Sequence, residues 1–231
     1  MHQMKPDIEA LSESILAYAM ERMRMDPPTI DHPLPQRTLA ERVGQTITSN
    51  GLGGEQALKL FIDTLAPACI SEDHPRYLAF VPTAPSEVST LFDLVVGASN
   101  ICASSWLEGA GAIYAENQAL RWIADIAGLP AEAGDVFVSG GTAGTLSALV
   151  AARFDWRQKS PDHDRQRGLI ISSRGAHASV DQAAQVMDAD IVQSGGHQLT
   201  GADVAATIAA LPKADRSRLF AVACTAGTTN L

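Results

Sequence analysis

Long apolar runs are missing from this chain. No stretch of about 18 consecutive apolar residues occurs, which argues against a membrane-spanning helix. Positive charge is scarce: 17 Lys and Arg stand against 26 Asp and Glu, a formal net charge of −9. No basic stripe exists to neutralise phosphates, so nucleic acid is excluded as the main partner. Cysteine is sparse and odd in number. Cys69, Cys102 and Cys224 show no Cys-x-x-Cys spacing, which points away from a disulfide framework or a zinc ribbon. The expectation is three buried thiols in a reducing cytoplasm. Met1-His2-Gln3-Met4-Lys5-Pro6-Asp7 lacks the apolar centre of a secretory signal. What is present is ordinary for a globular protein: 231 residues, 46% hydrophobic and 19% charged, enough to bury a sizeable core.

Two textures divide the chain. Residues 1–75 are helical and punctuated by proline. Ile8, Leu11, Ile15, Tyr18 and Ala19 recur at helical spacing over 7–24, Pro27-Pro28 breaks the pattern, and Thr38–Thr48 and Glu55–Leu65 suggest further helices, the first closed by Ser49-Asn50-Gly51. From residue 76 onward the pattern becomes an α/β one. Ser86–Ser99 and Ala110–Ala127 read as helices. Short apolar strands at Val136–Val138, Leu169–Ser172, Asp190–Gln193 and Arg218–Cys224 then alternate with helices near Ala143–Trp156, Val180–Met187 and Gly201–Leu211. Such alternation predicts a mainly parallel sheet covered on both faces.

The most informative stretch is Val136-Phe137-Val138-Ser139-Gly140-Gly141-Thr142, an apolar run entering a Gly-Gly turn before a helical pattern. A helix N-terminus offers unpaired N–H groups and the positive end of the helix dipole, a setting for phosphate. Gly140 and Gly141 would let the backbone approach the anion, and Thr142 would add a hydroxyl. The spacing fits neither the dinucleotide fingerprint G-x-G-x-x-G nor the Gly-Lys-Ser/Thr of a P-loop. His177 follows an apolar strand and a Ser-Ser-Arg-Gly turn, which places it at a strand's carboxyl end, where α/β sheets hold ligands. The last residues, Gly227-Thr228-Thr229-Asn230-Leu231, form a polar loop after the final strand, expected beside the same crevice. A chain stopping there is expected to be a fragment.

Four ordered segments carry a resemblance. They are His74-Pro75-Arg76-Tyr77-Leu78-Ala79-Phe80-Val81-Pro82-Thr83; Trp106 with Tyr114-Ala115-Glu116-Asn117; Ser139-Gly140-Gly141-Thr142 with Leu146-Ser147-Ala148-Leu149; and Ala176-His177-Ala178-Ser179-Val180 with Gly227-Thr228-Thr229. In their order and approximate spacing they resemble the amino-terminal portion of the group II pyridoxal-phosphate-dependent decarboxylases, the family of aromatic-L-amino-acid and glutamate decarboxylases. The resemblance runs from about Leu11 to Leu231. It implies a fold-type-I, transferase-like α/β domain, incomplete at its carboxyl end and preceded by the helical segment. It also implies that Gly140, Gly141 and Thr142 bind the phosphate of pyridoxal phosphate. His177 would stack on the pyridine ring near the substrate carboxylate and act in catalysis. Thr228 would lie near the ring, and Phe80, Pro82 and Thr83 would line the substrate entrance. The implied activity is decarboxylation of an L-amino acid by a cytoplasmic homodimer. An aminotransferase of the same fold type and a non-catalytic phosphate-binding or dimerising module are the alternatives.

The same resemblance exposes a shortage. The family's Schiff-base lysine follows a histidine, and an Asp-x-Ala-type segment supplies the acid that faces the pyridine nitrogen; both come after the Gly-Thr-Thr loop. This chain has four lysines, Lys5, Lys59, Lys159 and Lys213, none preceded by histidine and all in solvated contexts. The chain alone is therefore expected to be inactive, and a complementary carboxy-terminal half is an expected partner.

Overall fold

The computed structural model describes residues 5–80 and 83–227. The chain divides into two compact units, Met1–Glu108 and Gly109–Leu231.

The first unit is helical. α1 (Pro6–Met23) opens with proline in its first turn, where a missing N–H costs nothing, and with Asp7 and Glu9 at the positive end of its dipole. α2 (Gln36–Val43) is shorter than the periodicity suggests. It stops at Gly44, whose φ of +62° lets it end the helix before Ser49-Asn50-Gly51 is reached. α3 (Gly54–Leu60) runs on through a π-helical turn at Phe61–Leu65 and a 3-10 turn at Ala66–Ala68. Tyr18 meets Phe61 edge to face with ring centroids 6.0 Å apart, and Arg22 pairs with Asp73 at 2.8 Å. That guanidinium holds the Asp73 carboxyl below its usual range. α4 (Glu87–Ser99) is capped by the Ser86 hydroxyl, which accepts from the Ser89 N–H. Among the described residues of this unit only Pro28 and Ser71 are buried. Phe92, Val95 and Val96 on α4 stay more than half exposed.

α5 (Trp106–Ile126) has a non-helical residue at Gly109. The second unit then holds α6 (Gly141–Gln158), a 3-10 turn at Pro161–Arg165, β1 (Leu169–Ser172), α7 (Ser179–Met187), β2 (Asp190–Gln193), α8 (Gly201–Ala210), α9 (Lys213–Arg218) and β3 (Leu219–Ala223). The strands form a parallel sheet in the order β2-β1-β3. β1 is central and buried along its whole length. Ile170 points into a cluster with Leu149 of α6 and Ala183, Ala184 and Met187 of α7. Leu169 and Ile171 alternate to the opposite face and are buried too, as a central parallel strand requires. Gly168 just before β1 has to be glycine: a Cβ there would lie 2.6 Å from the Phe220 ring. α8 starts at a capping box, Thr200 Oγ1 accepting from the Asp203 N–H while Asp203 accepts from the Thr200 N–H.

Two further expectations fail. Val136–Val138 is not a strand; the three residues lie in irregular chain, 65%, 54% and 41% exposed. An apolar run becomes a strand only when another strand lies alongside to take its hydrogen bonds, and among the described residues none pairs with it. The cysteines are not buried either. Cys69, Cys102 and Cys224 are all exposed and free, because each follows or precedes an element rather than sitting on a core-facing stripe.

The amino-terminal ends of the three strands are clamped by charge. Arg218 donates to Asp190 at 2.6 Å, to Asp215 at 2.7 Å and to the Arg167 carbonyl at 2.9 Å, while Arg167 pairs with Asp190 at 3.1 Å and Asp188 at 2.8 Å. The hydrogen bond from Arg218 pulls the Asp190 carboxyl below its usual range. Side chains of Arg218 and Asp190 are 23% and 38% exposed, so solvent screening tempers the pair. Arg218→Ala is expected to cost about 1–2 kcal/mol, read by urea unfolding at pH 7. A depressed carboxylate stabilises the fold above its unfolded pKa of about 3.9 and loses that contribution as pH falls through the native value. The difference between wild type and variant should therefore shrink below about pH 4.

Candidate functional site

α6 begins at Gly141 with Gly140 as its N-cap. Among the described residues no side chain caps it, and the first helical bond is Gly144 N–H to the Gly140 carbonyl at 3.1 Å. The N–H groups of Gly141, Thr142 and Ala143 are thus left without helical partners, at the positive end of an 18-residue helix. A Cβ built on Gly140 or on Gly141 would meet nothing within 4 Å, so the approach to these donors is open. Gly140 has φ +156°, at the edge of a region that other residues seldom adopt. Thr142 is exposed on the first turn. This is a cradle for an anion with one hydroxyl beside it, and it fits a phosphate group.

β1 delivers the second component. Its carboxyl end is tied to the end of β2, Ser194 N–H donating to the Ser172 carbonyl at 2.8 Å and Arg174 N–H to the Gly196 carbonyl at 3.1 Å. The turn Ser173–Ala176 closes with Ala176 N–H on the Ser173 carbonyl, and His177 follows it, exposed, two residues before α7 begins at Ser179. His177 Nδ1 accepts from the Ser179 N–H at 3.2 Å and lies 3.0 Å from Ser179 Oγ. Ser179 Oγ in turn lies 3.1 Å from Thr145 Oγ1, on α6 one turn beyond Gly141. The structure thus joins the histidine to the helix that carries the glycine turn. Sequence reasoning gave no role to Ser179 or Thr145; only the hydroxyl two residues after the histidine was visible as a signal. Ser173 is buried at the same strand end, and its hydroxyl has no partner among the described residues. Such a group costs about 1–3 kcal/mol unless something completes it.

The other expected residues fall elsewhere. Phe80 lies in the first unit, 81% exposed, with φ +63°, a strained conformation for an aromatic residue. Thr83 is exposed in irregular chain. Pro82 and Thr228 lie outside the described residues. All four lysines are exposed, Lys59 and Lys159 being paired with Asp63 and Asp155 on their own helical turns. No group of three or more His, Cys, Asp or Glu that could hold a metal ion occurs among the described residues. No described helix is long and apolar enough to cross a membrane.

Similarity to known proteins agrees with this geometry. The family model for the pyridoxal-dependent decarboxylase conserved domain matches residues 48–231. An aromatic-L-amino-acid decarboxylase of Bacillus atrophaeus is 30% identical over 212 residues, covering 87% of this chain and 42% of that protein. An L-2,4-diaminobutyrate decarboxylase of Rhizobium meliloti (strain 1021) is 30% identical over 169 residues, covering 68% of this chain and 32% of that protein. In fold, the chain resembles Oryza sativa TDC solved with PLP and tryptamine: TM-score 0.81, 18% identity, 98% of this chain and 51% of that one. Mouse CSAD gives TM-score 0.77 at 20% identity, covering 96% of this chain and 48% of that one. The chain spans less than half the length of these curated relatives. A fold-type-I architecture, a phosphate-ready helix N-terminus and a domain match over most of the chain lead to one assignment: it belongs to the pyridoxal-dependent decarboxylase family, whose cofactor is pyridoxal phosphate.

Proposed function

We propose that this chain supplies the phosphate anchor and the ring-stacking histidine of a decarboxylase acting on an L-amino acid, a carboxy-lyase. The observation that carries the reading is the open N-terminus of α6, with its glycine-cleared N–H groups, joined through Thr145 and Ser179 to His177. Bound pyridoxal phosphate supplies an electron sink for charge developing at the substrate's α-carbon. The chain's own residues do the rest of this half of the work. Gly140, Gly141 and Thr142 hold the phosphate through backbone N–H groups and one hydroxyl. His177 would lay its imidazole on the pyridine face, and as an exposed residue it could orient the substrate carboxylate or move a proton. The family resemblance assigns Thr228 to the ring's surroundings and Phe80, Pro82 and Thr83 to the substrate entrance, of which Pro82 and Thr228 lie outside the described residues.

On this reading residues 1–75 are a helical amino-terminal segment and 76–231 the first part of the cofactor-binding domain. The four exposed lysines support assigning the Schiff-base lysine to residues outside these 231, in a complementary carboxy-terminal half or the remainder of a longer homodimeric enzyme. By itself the chain then binds cofactor without turnover. Three free thiols and net charge −9 suit a cytoplasmic protein with no nucleic-acid partner.

The test compares pyridoxal phosphate with pyridoxal by fluorescence titration, followed by borohydride reduction and intact mass. Binding that requires the phosphate, with no stoichiometric lysine adduct, is the expected result. Equal binding of the two, or one lysine of this chain reduced quantitatively, would sink the proposal. His177→Ala is expected to weaken the phosphorylated ligand about three- to tenfold, the worth of one aromatic stack, with His177→Phe recovering most of it in the same titration.

A further inference from the structure

The charges of the second unit are sorted between the two ends of its sheet. At the amino-terminal ends, Arg167 and Arg218 are already paired with Asp188, Asp190 and Asp215. The loops leaving the carboxyl ends, residues 173–178, 194–200 and 224–227, contain no Asp or Glu. With histidine neutral, Arg174 is the one formal charge in them. A chain of net charge −9 thus keeps this end of the sheet clear of acid and sets a cation there.

Arg174 is fixed by its backbone and free at its side chain. Its N–H donates to the Gly196 carbonyl at 3.1 Å, and it is the second residue of the turn that the Ala176 N–H closes on the Ser173 carbonyl at 3.2 Å. The side chain is exposed and has no ion pair or hydrogen bond among the described residues. Asp203, at the head of α8, is engaged by the Thr200 N–H at 3.0 Å and the Thr200 hydroxyl at 2.6 Å. Arg174 and His177 are three peptide steps apart, at most about 11 Å between Cα atoms. A long arginine side chain can cross such a distance to a ligand stacked on the imidazole.

Guanidinium matches a carboxylate with two parallel N–H donors, and an amino acid substrate can offer two carboxylates of different kinds. The α-carboxylate gives up its charge as carbon dioxide leaves. An ion pair there stabilises the bound substrate more than the transition state and slows the step. A side-chain carboxylate keeps its charge throughout, so holding it does not oppose the reaction. We propose that Arg174 binds the anionic side chain of the substrate and makes an acidic L-amino acid the preferred one. This rests on the decarboxylase function proposed above. The same cation repels a basic side chain, which sharpens the selection.

The test is fluorescence titration of the full chain with N-(5′-phosphopyridoxyl) derivatives of L-glutamate, L-glutamine and glycine. These stable amines join cofactor and amino acid in one molecule and need no lysine of the protein. Salt of about 0.15 M screens distant charges. Wild type is expected to bind the glutamate derivative about tenfold more tightly than the glutamine one, the worth of one charge-assisted hydrogen bond. Arg174→Gln should bring that ratio to about twofold or less and leave the glycine derivative unchanged. Lys213→Gln removes the same charge from an exposed residue that opens α9, and should keep the wild-type ratio. A wild type that does not tell glutamate from glutamine overturns the proposal. So does an Arg174→Gln variant that weakens all three derivatives alike, as a structural role or a grip on the α-carboxylate requires. Equal loss of the ratio in Lys213→Gln overturns it too, by reducing the effect to net charge. If wild type binds none of the derivatives, the proposed function itself is refuted and this inference falls with it.

Discussion

Gly141→Asp is expected to lower the affinity for pyridoxal phosphate at least about a hundredfold while leaving the fold as stable as before or slightly more so. The two effects separate because they arise from opposite uses of one feature. The N-terminus of α6 carries unpartnered N–H groups and the positive end of a dipole. A carboxylate in the first turn satisfies that end of the helix by about 0.3–1 kcal/mol. The side chain has room, since a Cβ at Gly141 meets nothing within 4 Å, and Gly141 is free of the positive φ that constrains Gly140. The same carboxylate then occupies the anion's place and repels it. Like charges brought together cost several kcal/mol, and about 3 kcal/mol is a hundredfold in affinity. Thermal melting and fluorescence titration on one preparation read both quantities. An aspartate variant that melts normally and still binds with wild-type affinity would mean that the phosphate lies somewhere other than α6.

Ile170→Ala is expected to destabilise the second unit by about 3–4 kcal/mol. Ile170 is 0% exposed at the centre of the central strand, packed against Leu149, Ala183, Ala184 and Met187 from two helices. Ala183 and Ala184 have no side chain that can extend into the space left behind, which limits how far the site can collapse. For a chain of this size the loss corresponds to a drop of roughly 6–15 °C in melting temperature. Leu107→Ala, at a residue 94% exposed, is the control and should change stability by about 0.5 kcal/mol or less. Because β1 leads directly to Ser173 and His177, the Ile170 variant should also lose cofactor at temperatures where wild type keeps it. If both variants melt alike, β1 is not the core of this unit.

Local pattern made much of this legible. α1, α4, α6, α7 and α8 match segments whose apolar spacing or caps mark them, since a helix closes its hydrogen bonds within a few residues and leaves that period in the sequence. β1, β2 and β3 were readable as short apolar runs between helices, and their parallel pairing follows from the alternation. Other features had no local signature. The 3-10 turn at Pro161–Arg165 and α9 at Lys213–Arg218 are too short and polar to show a period. The length of α2 turned on Gly44 rather than the more conspicuous Ser-Asn-Gly beyond it. Thr145 and Ser179 are unremarkable hydroxyl residues in sequence, and only the packing of α6 against α7 brings them within 3.1 Å.

By itself the sequence determined α1, α4, α6, α7 and α8, the glycine turn at the head of α6, the histidine after β1 and, through these, membership of a pyridoxal-dependent family. Each depends on residues within one or two turns of one another, where composition and spacing state the physics directly. Tertiary structure alone decided that Val136–Val138 does not pair, that the three cysteines face solvent, and that the Ser179 hydroxyl beside His177 reaches Thr145 on α6, 34 residues earlier. Strand pairing, burial and side-chain hydrogen bonding depend on what the fold brings alongside, and the residues concerned carry no mark of their partners until the chain has packed.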